Sequence, residues 1–170
     1  MFTSNLRKAF LLVSFISTFA AATFQSVELT EEKLKGTLET KVTLADPAAN
    51  GQDTITIRYS IPQESWIAVG VNPSGTGMIN GEVVIGKPVE GTILKYKMTG
   101  KSTSAINEQP NQTLINPNLE QADGNTILTF TKLLEEDGEY TIEPDTVNTF
   151  IAAFGSQNNF GFHQGYGVQS

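Results

Sequence analysis

The chain has 170 residues, 18 of them acidic and 11 basic, for a formal charge of −7, with a single histidine and no cysteine. A surface this acidic repels nucleic acid and anionic lipid. Without cysteine there are no disulfides, zinc-thiolate sites, iron–sulfur clusters or groups attached through Cys-x-x-Cys-His, and one histidine excludes a three-histidine zinc site.

The N-terminus reads as a secretory signal peptide over residues 1–22. Arg7 and Lys8 precede a compact apolar run from Ala9 to Phe19, and Ala20, Ala21 and Ala22 supply small residues for cleavage. An N-terminal membrane anchor is the alternative, but the run is shorter than the roughly 20 residues a spanning helix needs. Removal takes away two basic residues and no acidic one, so the mature charge moves from −7 to −9. No later segment is long and apolar enough to span a bilayer, and Gly167 to Ser170 form no hydrophobic tail. The expected product is a secreted, extracellular domain over residues 23–170, without a membrane span.

Strand signals then follow in order. Thr37 to Leu44 has mixed alternation, and Asp46-Pro47-Ala48-Ala49-Asn50-Gly51 is a turn cluster. Ile55, Ile57, Tyr59 and Ile61 alternate with polar residues, which predicts a half-buried strand. Trp66 to Val71 is almost wholly apolar, which predicts a strand covered on both faces. A glycine-rich loop over residues 72–81 leads into short β-branched Glu82 to Gly86, and Thr92 to Met98 is a further strand. Residues 101–124 are polar and rich in Asn, Pro and Gln. They read as a long surface connection with one short edge strand near Thr113 to Ile115. Asn111-Gln112-Thr113 within it is an N-glycosylation sequon. Strands at Asn125 to Leu133 and Asn148 to Gly155 close the series, and a helical turn is expected only near Thr30 to Lys35. Short strands with turn signals about every ten residues predict an all-β, antiparallel β-sandwich of one domain, its core at about residues 37–167.

The chemistry-bearing residues are few. No Gly-x-Ser-x-Gly elbow, phosphate loop or dinucleotide fingerprint is present. The acids, including Glu135-Glu136-Asp137, read as a solvated face. Met78, in Gly75-Thr76-Gly77-Met78-Ile79-Asn80-Gly81, and His163, in Phe160-Gly161-Phe162-His163-Gln164-Gly165-Tyr166-Gly167, stand out. Glycines flank both and let the backbone approach a flat ligand. A lone Met also serves as a core gap-filler, and a lone His as a hydrogen-bonded structural residue.

The order of these pieces resembles the DOMON domain family. Trp66 to Gly86 is similar to its aromatic-led strand, Met-bearing glycine loop and second apolar strand. Thr126 to Phe130 and Thr149 to Gly155, followed by His163, resemble its later strands and histidine loop. The resemblance implies an immunoglobulin-like antiparallel sandwich. In members such as the cytochrome domain of cellobiose dehydrogenase and the plant auxin-induced apoplastic cytochromes it implies a non-covalent b-type haem with one Met and one His as axial ligands. Here these are Met78 and His163, from two loops at one end of the sandwich. Trp66, Phe162 and Tyr166 are then wall residues, and Lys95, Lys97 or loop amides meet the propionates. With both axial positions filled, electron transfer is left, without enzymatic turnover. The partner is a redox enzyme, a membrane reductase or a small reductant such as ascorbate. Other family members lack haem. A haem-free module would bind carbohydrate by stacking on Trp66, Tyr96 or Tyr166, and a structural domain would simply pack Met78 in its core.

Overall fold

The computed structural model of the chain describes residues 23–29, 35–75, 77–144 and 146–169. The signal-peptide segment and, except for Lys35, the helical turn expected near Thr30 to Lys35 lie outside them. Among the described residues there are eleven strands: β1 (Gln25–Leu29), β2 (Gly36–Asp46), β3 (Gln52–Ile61), β4 (Ile67–Val71), β5 (Glu82–Lys87), β6 (Thr92–Met98), β7 (Ile106–Glu108), β8 (Ile115–Ala122), β9 (Asn125–Leu133), β10 (Phe150–Gly155) and β11 (His163–Gln169). They form two antiparallel sheets, one ordered β1-β2-β3-β9-β8 and the other β11-β10-β4-β5-β6-β7. The fold is the expected all-β sandwich.

Local chemistry sets the strand ends. In the β2–β3 turn the Asp46 carboxylate accepts from the Ala48 amide (2.9 Å) and the Thr54 hydroxyl (2.8 Å). Asn50 and Gly51 both adopt positive φ there, 54° and 80°. On β3 the Ile55, Ile57, Tyr59 and Ile61 side chains are buried, as their alternation predicts. They meet Leu128 and Phe130 of β9 beside them and Ile67, Val69 and Val84 from the facing sheet. Side chains of this kind contribute about 1.5–3 kcal/mol each on full burial.

Three expectations are corrected. The 101–124 segment is no plain connection, because it carries β7 and the eight-residue β8. β8 is an edge strand paired only with β9, so most of its side chains face water and it lacks an apolar pattern. The signal that marks it is Asp123-Gly124, both at positive φ, as a two-residue hairpin turn requires. The glycine-rich stretch after His163 is strand β11 rather than a loop. Lastly, the acids are not all solvated. Glu136 and Glu139 have side chains 7 % and 5 % exposed and pair with the equally buried Lys95 and Lys132.

The six-stranded sheet has a second apolar face. Ile67, Val69, Val84 and Phe154 point into the inter-sheet core. Their neighbours Ala68, Val83, Ile85 and Ile151 point the other way, forming a separate cluster with Trp66, Tyr96 and Met98. A sandwich needs one apolar face per sheet, and its outer face is ordinarily polar. This outer face is built to be covered.

Candidate functional site

The outer face carries a cavity of about 520 Å³, within the roughly 300–1,000 Å³ usual for small-molecule sites. Its floor includes Ala68, Val83, Ile85 and Ala153. Ala68 and Ala153 are register partners on β4 and β10, so two small side chains lie together and leave depth above the sheet. Met78, His163, Trp66, Phe162 and Tyr166 all line this cavity. The site therefore lies over the face of a sheet, not at one end of the sandwich.

Met78 comes from the loop that leaves the end of β4. Gly75, Gly77 and Asn80 take positive φ and coil the loop back on itself. The Gly81 amide donates to the Met78 carbonyl (2.9 Å), and Asn80 and Gly81 exchange backbone hydrogen bonds with Met98 (2.8 and 2.9 Å). The Met78 side chain is half-buried against the outer apolar cluster.

His163 arrives from the other end of β4. It pairs with Gly155, whose amide donates to the Trp66 carbonyl just before β4 begins (3.0 Å). The register slips between Phe154 and Gly155, so that Phe154 faces Gly165 while Gly155 faces His163. In an unbroken ladder Gln164 would take that place and His163 would turn toward the inter-sheet core. The bulge re-aims the imidazole to the cavity side. Gln63 braces it, its carboxamide nitrogen donating to the Gly155 carbonyl (2.6 Å) and the Gln164 side chain (3.1 Å). Sequence reasoning missed Gln63, because nothing local marks a residue that acts on a strand a hundred positions away.

Trp66 is 4 % exposed and meets Phe160 edge-on, ring centroids 5.0 Å apart. Phe162 and Tyr166 stand at the rim, 82 % and 47 % exposed. The Tyr166 ring lies 4.6 Å from that of His163. Lys87 sits 4.6 Å from the ring centres of both Tyr96 and Phe160.

The cationic residues differ from expectation. Lys95 is 2 % exposed, and its ammonium group is held by Glu136 (2.7 Å), Glu139 and Thr113 (2.6 Å) under the opposite face of the sheet. Lys97 pairs with Glu82 (3.1 Å). Neither lines the cavity, whereas Lys101 and Thr103 do. Asn111 is exposed in the segment between β7 and β8, where a sequon is accessible.

No family model matches the chain. No curated protein matches it either. Among the described residues no group of three or more His, Cys, Asp or Glu side chains is placed to hold a metal ion, and no helix is long and apolar enough to cross a membrane.

Proposed function

We propose that the cavity binds a non-covalent b-type haem, with Met78 and His163 as its axial ligands, and that the protein is an extracellular electron carrier of the DOMON type. The observation that carries this reading is the convergence of the one histidine and a methionine, 85 positions apart in sequence, on a single apolar cavity. They enter from opposite ends of β4, a strand about 13 Å long at 3.3 Å per residue. Two such ligands are fewer than the three or four protein donors of a zinc site. They suffice for an iron whose other four positions are already filled.

The residues present fit that group. The floor and most of the walls are apolar. Gly77, Gly161 and Gly167 in the lining permit close backbone approach. Lys101 and Thr103 supply donors for acidic substituents. A haem held there would supply a one-electron couple, and with Met78 and His163 both ligating it the iron would offer no open position to oxygen or peroxide. The neutral thioether of Met78 would favour the reduced state, and His163 would supply a ring nitrogen. His163 is held by the sheet and Met78 by the backbone hydrogen bonds of its loop. The electron partner is a redox protein, for which the acidic surface favours a basic one, or a small reductant such as ascorbate.

Carbohydrate binding has less support. Trp66 and Tyr96 are 4 % and 5 % exposed, with Phe160 and Lys87 against their rings. Of the three stacking platforms expected, only Tyr166 presents a ring to solvent.

The test is a haemin titration followed by fluorescence. Trp66 is the single tryptophan and lines the cavity, so haem bound there quenches it at one equivalent. Met78→Ala and His163→Ala are each expected to weaken binding by more than the roughly 10–100-fold that follows loss of a residue merely supporting a ligand. Quenching that neither substitution alters would overturn the assignment.

A further inference from the structure

We propose that Asn72 is the positioning residue for the Met78 thioether. Asn72 follows β4 directly and is fully buried. Its carboxamide nitrogen donates to the carbonyl oxygens of Gly77 (2.5 Å) and Ile79 (3.2 Å), the residues on either side of Met78. The carbonyl between them, that of Met78, accepts from the Gly81 amide (2.9 Å). Three consecutive peptide carbonyls are thereby tied, and the backbone at Met78 has one orientation. The carboxamide oxygen accepts from the Ser74 amide (3.0 Å) and hydroxyl (2.7 Å). With two acceptors facing its nitrogen and two donors facing its oxygen, the amide has a single sensible orientation.

The clamp is fixed to the sheet as well as to the loop. The Asn72 amide donates to the Thr149 carbonyl (3.0 Å), immediately before β10, and the Asn72 carbonyl accepts from Gly75 (3.0 Å). Few side chains could do this work. Two N–H donors and an acceptor must sit within one short, buried reach of a strand end. Aspartate lacks the donors and leucine lacks all three groups. Methionine is unbranched and flexible, and its thioether is a soft ligand with little geometric authority of its own. Fixing the peptide on both sides of it removes the largest source of misplacement. The consequence for a bound iron rests on the haem reading, but the clamp itself does not.

The experiment compares Asn72→Asp with Ser74→Ala. Asn72→Asp keeps the shape and the acceptor for Ser74, and turns an oxygen toward the Gly77 and Ile79 carbonyls. Ser74→Ala removes a hydroxyl donor and leaves the Met78 side of the clamp intact. In ligand-free protein labelled at methionine methyls with ¹³C, Asn72→Asp is expected to move the Met78 signal toward its random-coil position and narrow it. Met98, on β6 and bonded through its backbone to Asn80 and Gly81, is expected to move much less than Met78. Ser74→Ala leaves both signals where they are. In haem-loaded protein Asn72→Asp lowers affinity by roughly 10–100-fold and adds a high-spin fraction. Asn72→Ser, small enough to admit a water, is the milder companion should the carboxylate prevent folding, and it moves Met78 in the same direction. An unmoved Met78 signal, or Met98 moving as far as Met78, would overturn the proposal, as would equal effects of Asn72→Asp and Ser74→Ala. If the wild-type protein takes no haem while Met78 alone still responds to Asn72→Asp, the haem reading falls and the clamp stands.

Discussion

Gly155 lies so close to Trp66 that a β-carbon there would overlap the indole at Nε1, Cδ1 and Cε2. The indole in turn bears on Phe160 and forms part of the cavity wall. Gly155→Ala is therefore expected to push Trp66 toward the cavity, costing about 1–3 kcal/mol of stability, as overpacking does, and lowering ligand affinity. Urea denaturation reads the first effect and haemin titration the second. Because the two residues touch, Gly155→Ala combined with Trp66→Leu should lose less than the sum of the single changes. Strict additivity would show that the contact is not what excludes a side chain at Gly155. At this scale the sequence was partly legible. His163 is the lone histidine, and Met78 sits among glycines, so both stood out. Gly155 and Gln63 did not, because each acts through a partner that only strand pairing brings near, and neither did Asn72, whose partners lie in a loop that coils back in a way its residues alone do not show.

At the scale of elements, the segment after β9 crosses between the sheets. Leu134 and Ile142 enter the inter-sheet core, with the Leu134 amide donating to the Asp53 carbonyl (3.0 Å) and Ile142 to that of Leu134 (2.9 Å). Between them Glu136 and Glu139 reach Lys95 on β6 and Lys132 on β9, two ammonium groups against two carboxylates. Burial raises the Glu139 pKa, but the hydrogen bonds and charges of Lys132 and Lys95 more than offset it, so the folded value lies below the ordinary 4.5. A depressed carboxylate pKa contributes stability that is present above 4.5 and is lost as pH falls through the folded value. Glu139→Gln should flatten this acid limb of the stability curve and, by leaving buried ammonium charge undercompensated, lower stability at neutral pH. Urea midpoints measured between neutrality and strong acid test this, and parallel curves for the two proteins would contradict it. The cluster was illegible in sequence for a physical reason. Lys95 and Lys132 occupy inward positions where alternation calls for apolar residues, and their partners lie in a polar run that reads as surface. The same blindness hid β8, whose edge position demands little hydrophobicity.

For the whole molecule, the apolar outer face links fold to function. The unbroken apolar run at Trp66 to Val71 predicted a strand covered on both faces, and one side of that cover is the inter-sheet core. The other side is a cavity floor. An occupant that binds the folded state alone stabilises it by about 2.7 kcal/mol at a hundred times its dissociation constant. Haemin is accordingly expected to raise the melting temperature in a concentration-dependent way, and a melting temperature indifferent to haemin would place its binding elsewhere than the folded cavity.

The central claim is that one thioether and one imidazole together close the coordination of a single iron. The most direct measurement is the absorption spectrum of haem-loaded, dithionite-reduced protein before and after exposure to carbon monoxide. With Met78 and His163 both in place the reduced spectrum should be low-spin and unchanged by the gas, while Met78→Ala should admit it and shift the bands. A wild-type spectrum that is high-spin, or that shifts at once with carbon monoxide, would contradict the account.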